Sequence, residues 1–197
     1  MSPAAPASTT VRERFSQRVL AVSQYRGQDT VVIKREGWLE VARLLRDDPA
    51  MRFDFLMDLT CVDYLKFGKS QHSAPMLATP GPLPYYMTPK PNDERWERPV
   101  SSDEHRFDVV YHFYSTVRTR RLRVKVPVSL ADPVVDSLTG LWHAANWFER
   151  EVWDMFGIRF AGHPDPRRLL MYDAFQGHPL RKDYPVRKRQ PLIGPIN

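Results

Sequence analysis

The sequence predicts an α+β fold: a small, mostly antiparallel sheet with helices on one face, followed by an extended, irregular C-terminal arm. Three observations predict it. Runs with apolar residues at helical spacing are interspersed with runs in which every second residue is apolar. Two alternating runs, at 105–116 and 121–128, are separated only by Val-Arg-Thr-Arg, short enough for a hairpin. Prolines 164, 166, 179, 185, 191 and 195 exclude long helix from the chain beyond residue 157.

Residues 1–9 read as a disordered N-terminus, and 10–156 as the α+β domain. A first helix is expected over 10–24, with Phe15, Val19, Leu20 and Val22 on a ragged apolar face. Val31, Val32 and Ile33 form a short strand. Trp38, Val41, Ala42, Leu44 and Leu45 have the spacing of an amphipathic helix over 37–47, which Pro49 ends. Phe53, Phe55, Met57, Leu59 and Cys61 alternate with more polar neighbours, the pattern of a strand with one buried face.

The segment 66–104 carries seven prolines and fits neither helix nor strand. It reads as a long excursion between two strands. Tyr85, Tyr86, Met87 and Trp96 make it too aromatic for a plain linker, so partner docking is its expected role. In the hairpin that follows, Leu122, Val124, Val126 and Val128 share one face and Arg121, Arg123 and Lys125 the other, so its outer face is basic. Residues 130–138 read as a connection. The last helix is expected from Thr139 to Phe156, with Gly157 as its C-cap. The order is helix, strand, helix, three strands, helix and arm. The arm, 157–197, has few ways to satisfy its own backbone and should lie along something.

The 42% hydrophobic and 26% charged content fits a soluble globular protein. No apolar run approaches the roughly 18 residues of a membrane helix. The start, Met-Ser-Pro-Ala-Ala-Pro, lacks the basic and apolar regions of a secretory signal, and Glu13 argues against a transit peptide. The single cysteine, Cys61, excludes a disulfide within the chain, a four-cysteine iron–sulfur cluster and a Cys-rich zinc site. The net charge of +6 sits partly in residues 181–189, which read as a solvated or docked tail rather than a nucleic-acid patch.

Chemistry is concentrated in Glu149–Leu170. Leu141, Ala144, Ala145, Phe148, Val152, Met155 and Phe156 form the expected core face of the last helix. Trp142, Asn146, Glu149 and Trp153 form a second stripe, and Trp147, Arg150, Glu151 and Asp154 a third. Aromatics and arginine on non-core stripes fit a partner surface. Glu149 and Glu151 point about 200° apart on a helix of ~3.6 residues per turn, so they do not converge on one substrate. His163, Asp165, His178 and Asp183 are suitable metal ligands by type but lack ligand spacing, and hydrogen bonding to the arm's backbone is the favoured reading. Neither a phosphate loop nor a nucleophile elbow occurs. From the residues alone, an adaptor with a docking arm fits better than an enzyme.

Glu-Arg-Glu at 149–151, then Asp154, Met155 and Phe156, then His163, Arg167, Leu169 and Leu170, followed by Gly-His-Pro-Leu-Arg-Lys-Asp-Tyr-Pro-Val at 177–186, closely resembles the C-subunit (30-kilodalton) family of respiratory NADH–quinone oxidoreductase, complex I. The resemblance is strong over 137–186 and fainter over the strands at 53–65 and 106–127. Asp-Pro-Arg-Arg at 165–168 departs from the family's usual Asp-Leu-Arg-Arg, and 66–104 looks like an insertion.

The resemblance implies a non-catalytic structural and assembly subunit of the peripheral arm of complex I. The whole complex would pass electrons from NADH to quinone with proton translocation. It implies no cofactor in this chain, with FMN and iron–sulfur clusters held by partners. Those partners are chiefly the hydrogenase-large-subunit-like quinone-site subunit and the small iron–sulfur subunits. It implies a peripheral location on the cytoplasmic side of the bacterial inner membrane, or the matrix side in mitochondria. The expected subunit-interface residues on the helix are Trp142, Glu149, Arg150, Glu151, Trp153, Asp154 and Gly157. On the arm they are His163, Arg167, Arg168, Gly177, His178, Pro179, Leu180, Arg181, Lys182, Asp183 and Tyr184. The alternatives are the equivalent subunit of a membrane-bound hydrogenase-type complex and a stand-alone basic nucleic-acid-binding protein.

Overall fold

The computed structural model describes residues 6–65, 105–185, 187 and 190. Helix α1 runs Ala7–Arg14, and strands β1 (Val19–Tyr25) and β2 (Gln28–Ile33) form a hairpin. Helix α2 (Trp38–Asp47) follows, then β3 (Phe55–Asp63), β4 (Phe107–Ser115) and β5 (Arg120–Val128). The five strands make one sheet in the order β1-β2-β5-β4-β3, in which only β2–β5 is parallel. The expected α+β class holds. Val11, Val41, Ala42, Leu45 and Val152 from the three helices join Val31, Leu59, Val109, Phe113 and Val124 from the sheet in one buried core. Trp38 against Tyr111 (4.8 Å) and Phe113 against Trp142 (4.9 Å) form its aromatic centre.

Several expectations are corrected. The helix expected over 10–24 is two elements, α1 and then β1. Arg26 (φ 50°) and Gly27 (φ 76°) both lie in the left-handed region, the primed geometry that matches strand twist in a two-residue hairpin. That turn holds Val19 to Tyr25 against β2, so tertiary pairing overrides a weak helical pattern. The disorder expected for 1–9 extends too far, because α1 begins at Ala7 and buried Ser8 donates to Asp29 at 2.8 Å.

In β3 the strict alternation fails. The register shifts between Leu56 and Asp58, so Leu56, Leu59 and Cys61 are buried while Phe55 and Met57 are exposed. A bulge of one residue moves side chains to the other face of the sheet. Trp142, expected on an exposed stripe, is buried and donates its indole N–H to the Phe53 carbonyl at 3.1 Å.

The last helix, α3, starts at Ala145 rather than Thr139 and ends at Phe156. Residues 138–144 form turns, with Leu141 and Trp142 donating to the Leu138 carbonyl at 2.8 and 2.9 Å. The connection at 130–138 contains a strand, β6 (Val134–Asp136), parallel to β7 (Arg159–Ala161) in a second, two-stranded sheet. Ile158 and Phe160 are buried, so the boundary drawn at 156/157 falls inside packed structure. The docking role expected for 66–104 lies outside the described residues.

Candidate functional site

The motif residues meet at the C-terminal end of α3, where the arm returns. A helix ends with carbonyls that lack partners. Here His178 Nδ1 donates to the Asp154 carbonyl at 3.0 Å, the Leu180 N–H to Met155 at 3.1 Å, and Arg181 Nε to Phe156 at 2.5 Å. A cationic guanidinium at a helix C-terminus is also favoured by the helix dipole. Burial lowers the His178 pKa, in keeping with a neutral ring serving as a donor. Gly157 caps the helix in the left-handed region (φ 74°), its N–H reaching Trp153. A Cβ there would lie 2.5 Å from both His178 and Arg181, so conformation and space both require glycine.

Asp154 is the centre of the second anchorage. It is fully buried, and its Oδ2 accepts the backbone N–H groups of Leu169, Leu170 and Met171 at 3.1, 2.8 and 2.8 Å. Its Oδ1 accepts Arg168 at 2.5 Å. Burial opposes ionisation, but these donors outweigh it and hold the carboxyl below its ordinary pKa. Arg168 in turn donates to the Phe175 carbonyl at 2.9 Å and lies over the rings of Trp153 and Phe175. Arg150 donates to the Arg167 and Arg168 carbonyls, both at 3.1 Å. His163 Nδ1 accepts the Asp165 N–H at 3.0 Å, so its Nε2 carries the proton donated to the Asn146 carbonyl at 3.2 Å. Tyr184 stacks on Phe175.

A third anchorage was not legible in the sequence. Asp63 ends β3 and Arg106 precedes β4, so they flank the excursion at 66–104. Both are buried and form a bidentate pair, at 3.0 and 2.7 Å. Asp183 of the arm completes the cluster on Arg106 at 3.0 Å, and Asp63 also accepts the Lys182 N–H at 2.9 Å. The carboxylates raise the Arg106 pKa. Arg106 and Arg181 both lie over the Phe107 ring, at 4.8 and 5.5 Å.

Glu149 is not a surface group. It is fully buried, accepting Ser137 Oγ and the Leu138 N–H, both at 2.6 Å, with no cation among its partners in the described residues. Burial lifts its pKa from 4.5 to about 7, against those two hydrogen bonds. The folded state therefore binds more protons than the unfolded state between about 4.5 and 7. Stability from this group is full below 4.5 and falls as pH rises through 7, by about 3 kcal/mol in all. His112 and His178, lowered by burial, have the opposite slope just below 6.5. A difference measurement isolates the carboxyl. Urea unfolding of wild type and Glu149→Gln, at pH 5 and pH 8, should show the variant losing less stability across the interval. Equal losses would contradict a raised pKa.

The expected interface residues thus divide. Trp142, Glu149, Asp154 and Gly157 are internal. Arg150, Trp153, His163, Arg168, His178, Pro179, Arg181 and Tyr184 are partly buried at the junction of helix and arm. Glu151, Arg167, Gly177, Leu180, Lys182 and Asp183 remain exposed. Asp63 and Arg106 were missed because their partners lie 43 to 119 residues away, and Ser137 because its partner Glu149 read as a surface charge. Among the described residues no group of three His, Cys, Asp or Glu could hold a metal ion, and no helix is long and apolar enough to cross a membrane.

Residues 31–190 match the family model described as "Respiratory-chain NADH dehydrogenase, 30 Kd subunit". The chain is 40% identical to the C-subunit of NADH-quinone oxidoreductase from Citrifermentans bemidjiense, over 95% of this chain and 94% of that protein. It is 42% identical to the C-subunit from Cupriavidus pinatubonensis, over 87% and 72%. Among solved structures, a trypsin-resistant fragment (1–134) of Nqo5 is 30% identical with a TM-score of 0.54, covering 80% of this chain and 96% of the fragment. A chain of the membrane-bound sulfane sulfur reductase, an archaeal respiratory membrane complex, shares the fold at 16% identity with a TM-score of 0.59, over 90% of this chain and 85% of that one. By the extent of these matches, the chain belongs to the 30 Kd subunit family of respiratory-chain NADH dehydrogenase.

Proposed function

We propose that this chain is a non-catalytic structural and assembly subunit in the peripheral arm of a proton-translocating NADH–quinone oxidoreductase. One observation carries the reading: the buried and half-buried ionisable side chains of the family motif are spent on structure. Asp154 accepts from four donors, and the rings of His163 and His178 bond backbone groups. A catalytic acid or base needs access to the proton it moves. These groups instead hold the arm in one shape. The single cysteine supports placing the FMN and iron–sulfur clusters in partner subunits. The partners proposed are the hydrogenase-large-subunit-like quinone-site subunit and the small iron–sulfur subunits. The chain would meet them through the exposed residues of helix and arm, on the cytoplasmic side of the bacterial inner membrane.

The test is co-purification through an N-terminal tag after mild solubilisation. FMN, iron–sulfur absorbance and NADH–quinone activity should accompany the full chain. A chain ending at Ala161 keeps β7 and should be absent from the complex. Normal assembly of that truncation would refute the docking role of the arm. Recovery of a hydrogenase instead would move the chain to a related complex. Retained nucleic acid with log-linear loss in log salt would favour the basic-protein reading.

A further inference from the structure

We propose that the groove between α3, β6, β7 and the first residues of the arm seats an acidic segment of a neighbouring subunit, which inserts one large apolar side chain. This rests on the docking function proposed above and names what occupies part of that surface. The cavity is about 500 Å³, and Val134, Trp153, Phe160 and Pro166 give it an apolar wall. That is space for a bulky side chain rather than a water or an ion. Arg150 and Arg159 line the same cavity.

Neither arginine forms an ion pair among the described residues, although Asp165 lies within electrostatic range of Arg150. Arg159 is exposed, and its side chain makes no hydrogen bond or ion pair among the described residues. Arg150 gives its two bonds to carbonyl oxygens, which carry no net charge. The nearby carboxylate of Asp165 is already engaged by Arg167 in a bidentate pair, at 2.8 and 2.9 Å. Glu149, at the base, is pinned by Ser137 and Leu138. The groove therefore presents an apolar wall under a cationic edge, with the Glu149 carboxyl held at its base, complementary to a carboxylate at the edge beside an aliphatic or aromatic anchor. Trp147 continues the surface: it is 62% exposed and lies under Arg150 at 5.6 Å. Tryptophan and arginine are among the residue types enriched at interface hot spots. Two cations at the edge of one cavity, rather than along a track, favour this occupant over a polyanionic backbone.

The experiment places the photo-reactive residue p-benzoylphenylalanine at Ala161, an exposed groove residue, in the otherwise complete assembly, purified through a tag on another subunit. Cross-linked peptides are identified by mass spectrometry. The expected result is a partner segment with Asp or Glu next to a large apolar residue. Arg159→Glu should cut its yield about tenfold, the effect of losing roughly one charge pair. Arg159→Lys should retain most of it. Thermal stability of the isolated Arg159→Glu chain should match the wild type, because the side chain is exposed. Cross-links only to lipid, to nucleic acid, to this chain itself or to a segment without carboxylates would overturn the proposal, as would a yield indifferent to Arg159→Glu. If this chain is absent from the purified complex, the docking function falls and the groove's occupant with it. If it is present and the groove cross-links to no acidic segment, only the present inference falls.

Discussion

Arg106→Met destabilises the domain by about 3–5 kcal/mol, the range for breaking a buried ion pair from one side. The mechanism is specific. Asp63 is fully buried and would keep a charge with only the Leu65 and Lys182 N–H groups to solvate it. Its pKa, depressed despite burial by Arg106 and these amides, would rise, and protonation would become the cheaper course. The double variant Asp63→Asn with Arg106→Met removes the charge and keeps an acceptor for one of the two amides, which bond different oxygens of Asp63, so it should recover part of the loss. Chemical denaturation of the three proteins checks this. A loss below about 1 kcal/mol for the single variant would mean that water reaches the carboxylate.

Asp154→Ala acts on the arm more than on the core. It strands the N–H groups of Leu169, Leu170 and Met171 and the mostly buried guanidinium of Arg168. Bonds to an ionised acceptor contribute about 1.5–3 kcal/mol each and are not additive. Amide exchange at 169–171 should therefore accelerate by at least ~100-fold, equivalent to about 3 kcal/mol of local stability. Trypsin should cut at Arg167 and Arg168 while the sheet and α3 stay intact. Asp154→Asn keeps a neutral acceptor and should fall between. If the core and the segment at 169–171 lose protection together, the arm and the domain are one cooperative unit rather than two.

The residues that were legible from sequence are those whose surroundings are set by near neighbours. Helix α2 and the alternation of β5 follow from spacing alone, and the Gly157 cap from a glycine after an apolar run. The β1 segment misled because seven residues with Val19, Leu20 and Val22 fit both periods, and only the turn at Arg26-Gly27 distinguishes them. The bulge in β3 had no local signature. Glu149 and Asp154 read as surface charges because hydropathy cannot see a carboxylate saturated by donors from elsewhere. The pairing of β6 with β7, and of Asp63 with Arg106 and the arm, joins residues up to 119 apart. Such contacts carry no spacing that a single chain could display.

The bond between Lys182 and Asp63 spans 119 residues and has a consequence in time. A ribosome delivers this chain from its N-terminus, and domains take shape as their segments emerge. The sheet and the body of α3 are encoded early enough to form without the tail. The last carbonyls of α3 find their donors, and the carboxylate of Asp63 its last one, only when residues 178–183 arrive. Closing so long a loop is slow relative to local helix formation. A nascent chain of this family thus spends the end of its synthesis with a formed centre and an unfinished rim, the interval in which a chaperone or a waiting neighbour would find it open.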